Sequence, residues 1–369
     1  MSFKNEKLSN VLLWILIVFS GFYINLIPVR PVYITMIIGI LGYFFIEMKS
    51  IKDIKLDSLS IFTLIWVVYM SISFIFIRGD IGTTFNSIIS VFMYFIGIQY
   101  LSRKNEKFIL KTSKDFINIS IILLITECII RMMNPRLDKT SIYRYKFNSI
   151  MYEDSNYVGI FIICLFFYTI YLSRYKKEDY TKQRIILFVL CCLTMSRAAI
   201  LATLVTLIGI KILDIFNKIT EKYTKKQKTQ MICIISTIFI VIGILGISIL
   251  LKDGSFRSKF YIIEHAIKHL KDSSLTQFLF GVGFGKTYDY IGIGAHNILV
   301  AYILESGLIG LILFMIFNIM IAIQTKGKAL IVMIPFLTAG MSLAGFTLPV
   351  LYIKYSMIYT LENEKGRLM

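Results

Sequence analysis

His296 and Asn297 stand where a long polar interval gives way to an apolar run. A neutral imidazole at that point is placed to take a proton from an incoming hydroxyl, because its unperturbed pKa lies near neutrality. A structural histidine satisfied by hydrogen bonds is the plainer alternative. Arg257 heads the same polar interval, in FRSKFYIIEHAIKHL, and Arg197 interrupts the apolar stretch CCLTMSRAAILA. A guanidinium stays charged and presents paired donors to carboxylate or phosphate. At a membrane boundary Arg257 can equally snorkel to lipid headgroups, and Ser196 with Arg197 can simply cap and end a pair of helices. An ionisable group is costly there, which favours a functional role for Arg197.

The elements that must position these groups are read from the pattern around them. Phe256, Phe260, Ile263, Ile267 and Leu270 recur at helical spacing, which predicts an amphipathic helix on or near a membrane surface. Arg257, Tyr261, Glu264 and Lys268 fall on its polar side, with His265 and His269 beside them. Two histidines four residues apart suit a metal, but the HExxH order and a third ligand are missing, so no metal is expected. The stretch GVGFGKT, Gly281 to Thr287, imitates a phosphate loop, yet Phe280 occupies the position of its first glycine. It reads as a turn whose glycines let backbones pack closely. Another polar stretch, YRYKFNSIMYEDSNYVG, offers Arg144, Lys146, Asp154 and Asn156 among tyrosines, a composition shared by sugar-binding surfaces and interfacial aromatic belts. Glu127 and Arg131 are spaced for a simple ion pair. Glu305 lies nine residues beyond His296, about half a helical turn around, and is left as a packing or second-site residue.

The chain has 369 residues, is 57% hydrophobic and 14% aromatic, and so carries more apolar surface than a soluble core of that size can bury. Apolar runs recur from Asn10 to Ile27 through to a weaker last run near Gly345 to Leu361, which Lys354 interrupts. The stretch Ile185 to Phe216 is too long for one crossing and is split at Ser196 and Arg197. This predicts an all-α polytopic domain with about twelve transmembrane helices. The net charge of +18 sits in short gaps between these runs, which is a positive-inside pattern and excludes a nucleic-acid module. Both termini and the lysine-rich gaps are expected in the cytoplasm of a multi-pass cell-membrane protein. Residues 131–156 and 252–295 then form extracytoplasmic loops, the larger containing the amphipathic helix. Their Arg and Lys content breaks the usual bias, and an anionic ligand is the simplest reason. The cysteines, Cys128, Cys164, Cys191, Cys192 and Cys233, all fall in apolar runs and read as packing residues.

In order along the chain, FNSIMYEDSNYVGI, LTMSRAAILA, the loop beginning SFR, FLFGVGFG and AHNILVAYILESGLIG resemble the O-antigen polymerase and ligase superfamily of bacterial envelope glycan enzymes. The resemblance covers roughly Phe147 to Gly310. It implies a glycosyltransferase C-like fold acting on undecaprenyl-diphosphate-linked oligosaccharide at the outer face of the cytoplasmic membrane. It implies inverting transfer without a metal or other cofactor, in which an acceptor hydroxyl displaces the lipid diphosphate. By position in the resembling motifs, Arg257, Arg197 and His296 take the catalytic places. Where the family often carries Trp a few residues after the loop Arg, this chain has Tyr261. Fixed guanidiniums suit a leaving diphosphate, with His296 as the base. Arg144, Lys146, Asn156, Tyr261, Glu264 and Asn297 are the expected substrate-binding residues. Membrane lipids, a chain-length regulator and a flippase are the expected partners. The first reading is a polymerase of capsular or O-antigen repeat units; the alternatives are a ligase passing finished glycan to another acceptor, and a transporter of lipid-linked glycan without covalent chemistry.

Overall fold

The computed structural model describes residues 3–24, 30–48, 54–138, 141–224, 226–231, 233–234, 237, 254–343 and 348–367. Most of the run Met231 to Leu251 lies outside the described residues. The fold is helical: α1 (Phe3–Val18), α2 (Pro31–Gly42), α3 (Ser58–Ile77), α4 (Ile81–Leu101), α5 (Glu106–Met133), α6 (Ser155–Lys176), α7 (Thr181–Leu193), α8 (Arg197–Ile219), α9 (Gly254–Asp272), α10 (Leu275–Phe280), α11 (Thr287–Ile291), α12 (Ile298–Gln324), α13 (Leu330–Leu343) and α14 (Pro349–Arg367). A short antiparallel pairing of β1 (Phe147–Ser149) with β2 (Glu153–Asp154) interrupts this pattern. Among the described residues six helices, α3, α4, α5, α6, α8 and α12, are long and apolar enough to cross a membrane; α2 and α13 are shorter apolar helices.

Local chemistry sets the helix starts. Asp57, Asp80, Asn105, Asp154, Ser196 and Asn297 each accept a hydrogen bond from a backbone amide in the first turn of the helix they precede, satisfying donors that the helix itself leaves unpaired. The split expected at Ser196 is therefore real: α7 ends at Leu193, Met195 turns through a positive φ of 57°, and Ser196 caps α8.

Contacts between helix ends define two ends of the bundle. At one, Lys104 donates to Ser9 at 2.6 Å, Lys55 to the Ser102 carbonyl at 3.0 Å and Gln324 to Ser58 at 2.8 Å. At the other, Tyr23 stacks on Tyr152 with ring centroids 4.9 Å apart, the Asp80 amide donates to the Phe284 carbonyl at 2.8 Å and Asn297 donates to the Met341 carbonyl at 3.3 Å. The first end carries the lysine-rich gaps; the second carries His296, Arg197 and the 281–287 glycine stretch. Between them the core is aromatic, with Trp66 next to Phe317 at 5.5 Å and Tyr302 stacked on Phe314 at 4.2 Å. Lys354, wholly buried in α14, sits over the Phe116 ring at 3.4 Å and beside Tyr168 at 4.6 Å. The two rings and the Met357 sulfur, 3.5 Å from Nζ, are the contacts that replace its water.

One interaction ties the far end together. Arg131, at the end of α5, has a side chain only 1% exposed and donates to Glu127 at 2.7 Å. It also donates to the Tyr145 carbonyl at 2.5 Å and the Leu193 carbonyl at 3.2 Å. Removing one partner of a buried pair leaves the other charge stranded, at a cost of about 3–5 kcal/mol. Glu127→Ala and Arg131→Met should each sharply lower the thermal unfolding midpoint of the detergent-solubilised protein. Arg136→Ala, which removes an exposed pair with Asp138, should leave that midpoint where it is.

Candidate functional site

The glycine stretch builds the floor of the far end. Gly307 lies within α12 but at φ 66°, ψ −175°, so the helix is broken there. The break frees carbonyls, and the loop after α10 takes them: the Val282 amide donates to the Leu304 carbonyl at 2.7 Å and the Gly283 amide to that of Glu305 at 3.1 Å. The Tyr69 hydroxyl takes the Ser306 carbonyl. Broken helices at membrane depth are tolerated when neighbouring groups satisfy the backbone in this way. The approach is close enough to require glycine on both sides. A Cβ at Gly281, itself at φ 84°, would collide with the Glu305 carbonyl, and one at Gly307 would collide with Leu279. Glu305 is buried and accepts from the Thr287 hydroxyl at 2.7 Å, pinning the start of α11 to α12.

Above this floor two segments bring lysines whose charges act on His296, which a third segment carries. Lys146 comes from the loop after α5, held by the bond from the Ser155 amide to its carbonyl at 3.0 Å. Lys259 comes from α9 and donates to the Ser342 carbonyl at the end of α13 at 3.1 Å. His296 comes from the turn before α12, its amide bonded to the Gly294 carbonyl at 2.8 Å. The residue is exposed, yet enough protein surrounds the imidazole to make loss of solvation the largest influence on its titration. That loss, with the Lys259 and Lys146 ammoniums, holds its pKa below the ordinary histidine value, against the opposing pull of Asp154. Partial burial and the Lys146 charge likewise depress Lys259. A histidine held neutral beside cations is equipped to accept a proton and to sit near an anion.

The other expected site residues fall into three groups. Arg197 opens α8 and donates to the Tyr143 hydroxyl, so it faces the same loop that carries Arg144 and Lys146. Arg144 lies over the Tyr145 ring at 5.9 Å. Asn156 and Asp154 bond each other at 3.0 Å at the start of α6, and Asn297 serves as the α12 cap, accepting from the Leu299 and Val300 amides. On α9, Arg257, Tyr261 and Glu264 are exposed. It is Lys259, not singled out by the sequence reading, that α9 turns toward His296. The buried stripe of α9 is Ile262 and Ala266, while Phe260, Ile263 and Ile267 face outward; a wheel drawn through Ile262, Ala266 and Leu270 would have put Lys259 on the inner face. The rings of His265 and His269 approach different tyrosines, Tyr261 at 3.7 Å and Tyr290 at 5.1 Å. Among the described residues no group of three or more His, Cys, Asp or Glu is placed to hold a metal ion.

Neither any known protein-family model nor any curated protein matches this chain.

The electrostatic arrangement around His296 has a sign that can be measured. Taking away a neighbouring positive charge eases protonation, so Lys259→Met should raise the His296 titration midpoint. Histidine-selective NMR in detergent micelles should place the wild-type midpoint below about 6.5 and the variant's above the wild type's. An unchanged or lower midpoint in the variant would mean that Lys259 does not act on the ring.

Proposed function

We propose that this chain is a membrane glycosyltransferase that joins polyprenyl-diphosphate-linked oligosaccharide repeat units by inverting transfer. In this reading it is a multi-pass, glycosyltransferase C-like protein of the cytoplasmic membrane, of about twelve crossings, with both termini inside and the His296 end outside. The observation that carries the reading is that the charges of Lys146 and Lys259, from two separate segments, act on His296 at the end of an apolar helical bundle. The order of motifs resembling the O-antigen polymerase and ligase superfamily supports it independently.

The chemistry assigned to each residue follows from its charge. The donor's diphosphate leaves with negative charge that develops on the bridging oxygen, and fixed, preorganised cations lower the energy of that charge. Lys146 and Lys259 supply two such cations; Arg197 and Arg257 are assigned to the diphosphate with them. His296, kept neutral by its neighbours, takes the proton of the acceptor hydroxyl as that oxygen attacks the anomeric carbon from the face opposite the leaving group. Arg144, Asn156, Tyr261 and Glu264 are assigned to sugar contacts. Asn297 contributes through the α12 cap that fixes His296. The break in α12 favours a second reading, carriage of the lipid-linked glycan without chemistry, because interrupted helices mark transport sites.

The test reconstitutes the purified protein in liposomes with one lipid-linked repeat unit. The products should form a ladder spaced by one repeat. General-base loss is worth roughly 10²–10⁴ in rate, so His296→Ala should abolish the ladder within the assay time, and Arg257→Ala should weaken it strongly. A normal ladder from both variants would remove these residues from the chemistry. Transfer only after a second lipid acceptor is added would indicate a ligase, and movement of the lipid-linked glycan across the bilayer without growth would indicate a carrier.

A further inference from the structure

At the opposite, lysine-rich end of the bundle a cleft of about 370 Å³ opens between α5 and the end of α6, lined by Glu106, Lys107, Leu110, Lys111, Lys114, Lys176 and Glu178. Lys107, Lys111 and Lys114 recur at steps of four and three residues, so they stand on one face of α5. One acidic group of the cleft is matched by a lysine; the other accepts from a neutral hydroxyl and keeps its charge. Glu106 pairs with Lys176 at 3.0 Å and Glu178 accepts from the Tyr180 hydroxyl at 3.2 Å. Among the described residues no carboxylate pairs with Lys107, Lys111 or Lys114. Like charges stacked along one helix face repel. They also sit in the first turns of a helix of 28 residues, whose N-terminal dipole adds further positive potential.

The same face of α5 changes character as it runs on. At the same helical spacing Lys107, Lys111 and Lys114 give way to Asn118 and then to Ile122, Ile125 and Ile129, which are 64%, 40% and 53% exposed. Lys114 and Ile122 are about 12 Å apart along the axis at 1.5 Å per residue. A polar anchor followed by bare hydrocarbon along one continuous stripe matches a lipid, charged at its head and apolar along its tails, rather than a free anion.

We propose that this cleft binds the phosphate headgroup of an anionic phospholipid, whose acyl chains lie along Ile122, Ile125 and Ile129. The three ammoniums hold the phosphate, Leu110 supports the glycerol region, and the isoleucines replace contacts the tails would otherwise make with other lipids. The site lies at the end of the bundle remote from His296, and it stands or falls without the glycosyltransferase reading. Its basis is the charge pattern of α5 and the apolar character of the helices.

Delipidated full-length protein would be titrated with phosphatidylglycerol, phosphatidylcholine and inorganic phosphate, with bound lipid counted by native mass spectrometry. A photoactivatable phosphatidylglycerol would map the contact. Phosphatidylglycerol should bind in preference to phosphatidylcholine and cross-link to the α5 segment. The combined Lys107→Gln, Lys111→Gln and Lys114→Gln variant should lose on the order of 100-fold in affinity. The matching Lys→Arg variant should retain binding, which guards against a misfolded glutamine variant. Neutralising Lys222, Lys226 and Lys228 elsewhere should change nothing. Equal binding of both lipids, competition by inorganic phosphate as effective as by lipid, cross-links confined to other helices, or an equal loss on neutralising the distant lysines would each overturn the proposal.

Discussion

Arg131 carries a charge into a place where its side chain is only 1% exposed, and that constraint organises the far end of the molecule. One carboxylate, Glu127, does not exhaust a guanidinium's donors. The remaining ones reach the carbonyls of Tyr145 and Leu193. Each of those carbonyls belongs to a segment with a residue assigned to the site: Tyr145 adjoins Arg144 and Lys146, and Leu193 ends the helix whose break presents Arg197. A single buried cation thus helps set the spacing between two strips of backbone, which the Arg197–Tyr143 bond also joins. The α6 start locks to the same place through the Ser155 hydroxyl, which donates to the Thr194 carbonyl at 2.6 Å.

The other half of that end is held by backbone rather than charge. The break at Gly307 and the glycine at 281 let two segments of the chain approach until amides of one satisfy carbonyls of the other. From there a short path runs through Thr287, tied to Glu305, along α11 to the turn bearing His296. Lys259 arrives on a helix whose inner stripe packs against α11 and α12 residues such as Ile291, Val300 and Leu304. The position of His296 relative to Lys146 and Lys259 is therefore fixed by two independent devices, an ion pair beneath one wall and a glycine interlock beneath the other.

Much of this was legible in the sequence because membrane-depth helices leave a coarse signal. Long apolar runs gave the helical bundle, and the Ser-Arg interruption marked the α7–α8 break because a serine cap has a recognisable position. The Glu127–Arg131 pair followed from spacing alone. The carbonyl bonds of Arg131 did not, since their acceptors are backbone groups that any residue supplies. The break in α12 was hidden because glycine is common in apolar helices, and only the partner loop makes Gly307 a hinge in structure. Lys259 was missed because α9 has two apolar stripes. The larger one, Phe260, Ile263 and Ile267, faces outward and is the stripe the pattern showed; the smaller inner one, Ile262 and Ala266, carries Lys259 beside it.

In the reaction proposed for the His296 end, a glycosidic bond forms as the sugar–phosphate bond breaks. The most direct measurement is the amount of polyprenyl diphosphate released per new glycosidic linkage, followed by phosphorus NMR in liposomes containing the purified protein and a lipid-linked repeat unit. One diphosphate released for each linkage, with inversion at the anomeric carbon, is the predicted result. Disappearance of the lipid-linked glycan from one leaflet with its sugar–phosphate bond intact would contradict it.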